Sequence, residues 1–103
     1  MSVGIVSLDH EEVRECVVSA HCVARFRERM PVREPGGAQV AAALRAALEE
    51  AHVVRWPPAW ALSDRPAPWW AVTDELAFPL APTPARGRWL AVTCLRRGEG
   101  ARR

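Results

Sequence analysis

The chain has 103 residues, a formal charge of +2 and a half-apolar composition. That length fits one domain with a modest core, and so slight a charge does not by itself point to nucleic acid. No apolar run approaches the roughly 20 residues that cross a bilayer as a helix, so no membrane partner is expected. Lys, Asn and Tyr are missing and Ile5 is the sole isoleucine, while Arg, Ala and Pro abound. GC-rich codons account for this pattern without invoking function. Arginine still supplies a planar, permanently charged fork suited to phosphate and carboxylate.

Val3 to Leu8 is apolar, follows no basic residue, and is too short for a signal-peptide core. Cys16, Cys22 and Cys94 are odd in number and lack metal-type spacing. They are expected as reduced thiols of a cytoplasmic protein with no metal and no cofactor. Asp9 with Glu12 resembles a capping box for a short helix over His10 to Val17. Against it, the β-branched Val13, Val17 and Val18 favour a strand over Val13 to Val18, and both readings stay open. His10, with only acidic neighbours, is expected at the surface. Residues 1–18 thus form an N-terminal lead, short helix or strand; residues 19–95 a single α+β domain; and residues 96–103 a basic flexible tail.

Ser19 to Met30, SAHCVARFRERM, carries the clearest pattern. As a helix it places His21, Arg25 and Arg29 one turn apart on one stripe. Cys22, Phe26 and Met30 form a parallel stripe, widened by Val23. Ser19 is a suitable N-cap, and Pro31 ends the helix. The bland interpretation is an amphipathic helix with a solvated arginine edge. The sharper one is an anion site at the rim of the core.

Pro31 to Gly37 is a loop by its proline and glycine content. Ala38 to His52 repeats Val40, Leu44 and Leu48 at helical spacing and is alanine-rich. Val53 to Trp56 reads as a short strand, stiffened afterwards by Pro57-Pro58, and Ala61 to Pro68 as a loop. Trp69 to Thr73 and Leu76 to Leu80 read as strands around an Asp74-Glu75 turn. Pro79 predicts an edge or an early end for the second of them. After a turn over Pro82 to Gly87, Arg88 to Leu95 reads as a strong strand. The order predicts two N-terminal helices packed on a small antiparallel β-meander, an α+β fold.

Tryptophan in a small domain usually packs in the core or at its rim. Of the five present, Trp56 and Trp60 lie in a loop and are the better candidates for stacking nucleobases. Arg96 and Arg97 would add phosphate contacts.

The His21–Arg25–Arg29 spacing with Phe26 between, followed by an Ala/Leu helix and strands ending Ala91-Val-Thr-Cys-Leu95, resembles small bacterial and phage domains of the DUF4258 type. More distantly it resembles the RelE-like nucleases grouped with barnase, EndoU and the colicin E5 and D toxins. The resemblance spans about residues 19 to 97. It implies a RelE-like fold and metal-independent RNA cleavage or binding, toxin-like, with His21, Arg25, Arg29 and Thr93 as the matching positions. The chain departs from the group in its Pro- and Trp-rich middle and in lacking Tyr and Lys. In such a site His21 would move a proton, the guanidiniums of Arg25 and Arg29 would hold phosphate oxygens, and Thr93 would donate to the phosphate. The alternative is a non-catalytic interaction module whose Trp/Pro-rich surface docks a protein partner, an antitoxin or a host protein. Fold alone does not choose between them.

Overall fold

The computed structural model describes residues 3–30, 34–61 and 66–98. The elements, in order, are β1 (Val6–Ser7), β2 (Glu15–Val18), α1 (Ala20–Glu28), α2 (Gly37–Glu50), β3 (His52–Val54), β4 (Trp69–Val72), β5 (Leu76–Pro82), β6 (Arg88–Ala91) and β7 (Leu95–Arg96). The strands form one sheet in the order β1-β2-β6-β5-β4-β3, with β7 also paired to β5. All pairs are antiparallel except β2 with β6, which run parallel with Cys16 opposite Trp89 and Val18 opposite Ala91.

This corrects the expected architecture. The helices do not lead a small antiparallel meander; they are inserted between β2 and β3 of a larger mixed sheet. The RelE-like reading of the fold falls with it. The physical reason lies in residues 3–18. Val3, Val6, Val13 and Cys16 are buried in the main core, so this segment is part of the sheet. The strand alternative held over the helix for Glu15–Val18. No helix follows Asp9 because His10 builds a turn instead, its Nδ1 accepting from the N–H groups of Glu12 and Val13 at 3.0 and 3.1 Å. The carbonyl of Gly87 then accepts from the N–H groups of both Arg14 and Glu15 at 2.9 Å, docking the start of β2 beside β6. Gly87 has φ 82°, a left-handed conformation that glycine adopts without strain.

Both helices lie against one sheet face. Cys22 and Phe26 of α1 and Val40, Leu44 and Leu48 of α2 bury against Cys16, Ala71, Phe78, Leu80 and Ala91. The apolar stripe at three- and four-residue spacing is what commits each helix to this face. The opposite face carries a smaller cluster of Trp70, Ala77 and Ala61, flanked by Val54, Trp60 and Val72. Helix α2 ends at Glu50, two residues earlier than its apolar repeat predicts, since Ala51 is extended (ψ 148°) and His52 already belongs to β3. The expected loops over Pro31–Gly37 and Ala61–Pro68 lie partly outside the described residues.

Pro79 does not make β5 an edge: β5 lies between β4 and β6. In an antiparallel pair the N–H and C=O of one residue point to the same neighbour. The carbonyl of Pro79 accepts from the N–H of Val92 at 3.0 Å, so its missing donor faces the gap between β6 and β7. The ladder is interrupted over Val92–Cys94, and the predicted single strand Arg88–Leu95 becomes two. The alternation slips there, with Ala91 and Cys94 both buried although three apart.

Candidate nucleic-acid interface

The interruption at 92–94 positions the residues singled out by sequence. Released from the ladder, this segment is tied to the start of α1: the N–H of Ser19 donates to the carbonyl of Ala91 at 3.1 Å, and its hydroxyl donates to the carbonyl of Val92 at 2.7 Å. The same hydroxyl oxygen accepts from the N–H of Cys22 at 2.9 Å, which is the N-cap bond. At the other end, the guanidinium of Arg96 donates to the carbonyl of Arg29 at 2.8 Å. Residues 92–96 therefore run alongside α1 in the same direction, from its first turn to its last.

Of the predicted polar stripe, this segment reaches Arg29, through its carbonyl. At about 100° per residue, Val23 and Ala20 point away from Arg25 and Arg29, and both line a groove with the N-terminal segment on the far side. His21 is exposed, Arg25 keeps 42 % of its side-chain surface, and Thr93 is half-buried. Arg29 differs from the other two, with 8 % of its side chain exposed. It donates to the carbonyl of Arg25 at 2.6 Å and lies 3.9 Å from the carboxylate of Glu28. Arg29 and Arg96 thus cap the last, unsatisfied carbonyls of α1, where cations are favoured. The Glu28 carboxylate, 60 % exposed, also reaches Arg25 at 3.5 Å and offsets part of the positive charge.

Beneath the stripe, the three thiols cluster and are fully buried. Burial, then the neighbouring Cys94 and Cys16 sulfurs, push the Cys22 thiol well above the usual range. Burial pushes Cys16 up to about 11, partly opposed by a backbone hydrogen bond from Ala91. Cys16 and Cys22 are therefore neutral packing groups at neutral pH. Among the described residues no three His, Cys, Asp or Glu side chains are grouped to hold a metal.

The other candidates sit elsewhere. Trp56 is 81 % exposed beside the outer edge of β3, and Trp60 packs against the smaller core cluster. Arg97 is exposed, with its backbone N–H on the carbonyl of Glu75 at 2.8 Å. Sheet order puts β3 three strands from β6, about 14 Å at ordinary strand spacing. Trp56 and His52 are thereby separated from the α1 ledge. His10 packs edge-on against Trp69 with centroids 4.7 Å apart, and Arg55 covers the same indole at 4.9 Å. Sequence reasoning missed Ser19 as the tether to Val92 and Glu28 as a competing anion. The Arg25–Glu28 spacing of three was a legible signal for the second.

No protein-family model matches the chain, and no match is found among curated proteins or solved structures. No helix among the described residues is long and apolar enough to cross a membrane.

Proposed function

We propose that the chain binds single-stranded RNA through the ledge formed by α1 and residues 92–96. His21, Arg25 and Thr93 would contact the phosphate backbone, and Arg29 and Arg96 would hold the ledge in shape. The observation that supports this is the tethering of residues 92–96 to both ends of α1, at Ser19 and at Arg29, on a helix that exposes His21 and Arg25. A guanidinium fork, an imidazole and a hydroxyl on one open surface suit phosphate oxygens. The likeness of the His21–Arg25–Arg29 stripe to the first helix of DUF4258-type domains supports the same reading. Among the described residues His21 is the one histidine on this surface, since His10 is engaged with Trp69 and His52 lies at the far edge of the sheet. Binding is accordingly the primary activity, with His21-dependent cleavage as its extension. Cytoplasmic placement belongs to the same proposal, because three free thiols suit a reducing compartment.

The test is the affinity for a short oligouridine RNA against salt. Each phosphate contact adds roughly 0.7 to the log–log slope on a single strand. Arg25→Ala is expected to weaken binding and reduce the slope by about that amount. An affinity flat with salt, or unchanged in Arg25→Ala, would remove the proposal.

A further inference from the structure

On the far side of the sheet, the outer edge of β3 borders a groove of about 550 Å³. Val54, Val72 and Pro58 give it apolar surface, Trp56 stands over it, and Glu50 and Asp74 bring two carboxylates. Trp56 is the most exposed of the large hydrophobic residues among those described, at 81 %. An indole left this wet next to apolar neighbours marks an interaction surface. β3 has one strand partner, β4, and among the described residues its outer backbone groups have none. Such an edge is a template for an added strand. Neither the Glu50 nor the Asp74 carboxylate has a hydrogen-bond or ion-pair partner among the described residues.

These features select the occupant. Two carboxylates with no partner among the described residues disfavour a phosphate backbone, so the groove is not an extension of the RNA ledge. They favour a cation, and an indole face beside them favours it further through cation–π attraction. We propose that this groove takes an extended basic segment of a partner protein as a strand added to β3. On such a strand, alternate side chains share one face. An arginine or lysine would lie over Trp56 between Glu50 and Asp74, and an aliphatic residue two positions away would cover Val54 and Val72.

The full chain is titrated with a capped hexapeptide alternating arginine and valine, and with its counterpart carrying glutamate for arginine. Binding is read by calorimetry and by backbone amide shifts. The arginine peptide is expected to bind and to shift His52, Val53, Val54, Trp56 and Asp74, while the glutamate peptide does not bind. Trp56→Ala, at an exposed position that leaves the fold intact by circular dichroism, should weaken binding about tenfold. Glu50→Gln with Asp74→Asn should weaken it similarly and flatten its salt dependence. Equal binding of the two peptides, full affinity in Trp56→Ala, or no binding at millimolar peptide would each overturn the proposal. Oligouridine shifting these amides in place of the peptide would reassign the groove to RNA. Loss of RNA binding at α1 would leave this proposal standing, because the two surfaces share no residue.

Discussion

The hydroxyl of Ser19 donates to the carbonyl of Val92 at 2.7 Å while accepting from the N–H of Cys22 at 2.9 Å. One side chain therefore caps α1 and pins the strand interruption to it across 73 residues of sequence. Ser19→Ala should cost about 1–2 kcal/mol, from the lost cap together with the orphaned carbonyl. Urea unfolding measures this. A change within a few tenths of a kcal/mol would mean that water replaces both bonds.

Phe26 joins α1 to the sheet, with 8 % of its surface exposed. Phe26→Ala should destabilise by about 3–5 kcal/mol, the usual range for emptying such a site. An effect under about 1 kcal/mol would show that α1 is not anchored through this ring.

The raised thiols give stability a defined pH dependence. An acid whose folded pKa lies above its unfolded value is protonated more in the fold. Its contribution is complete below the unfolded pKa and is lost as pH rises through the folded one. For Cys16 that window runs from the ordinary 9.0 to about 11. Cys22 extends it upward. Stability should fall above pH 9 by up to about 1.4 kcal/mol per pH unit for each thiol. Cys16→Ala and Cys22→Ala should each reduce that slope, and slopes equal to wild type would refute the assignment. In the same pH range the native thiols should react slowly with a thiol-specific reagent and the unfolded ones fast.

Arg29 and Arg25 should separate by readout although they lie one turn apart. Arg29 is buried against the carbonyl of Arg25, so Arg29→Ala should cost about 1–2 kcal/mol of stability. Arg25 keeps 42 % of its side-chain surface exposed and, among the described residues, its guanidinium pairs only with Glu28, so Arg25→Ala should leave stability nearly unchanged and act on RNA affinity. Equal thermal midpoints for the two variants would contradict this division.

The local part of this molecule was legible in its sequence. Ser19 as N-cap, the Cys22/Phe26 stripe and the Val40/Leu44/Leu48 stripe follow from spacing within a few residues, where helical geometry fixes neighbours. The β4–β5 pair around Asp74-Glu75 was legible for the same reason. The parallel β2·β6 pairing was not, because Cys16 and Trp89 meet through the tertiary fold and no short-range pattern encodes it. Pro79 was read as an edge signal, whereas its missing N–H faces a break in a neighbouring strand, a placement that depends on register. At the candidate site the His21–Arg25–Arg29 stripe was visible. That Arg29 and Arg96 serve the end of α1 depended on where residues 92–96 run.

The central claim is that α1 and residues 92–96 form an RNA-binding ledge. It is tested most directly by backbone amide shifts on adding a short oligouridine RNA to the full chain at low salt. Saturable shifts concentrated in Ala20–Glu28 and Val92–Arg97, abolished in His21→Ala combined with Arg25→Ala, are the predicted result. No shifts, or shifts confined to His52–Trp56 and Asp74, would contradict it.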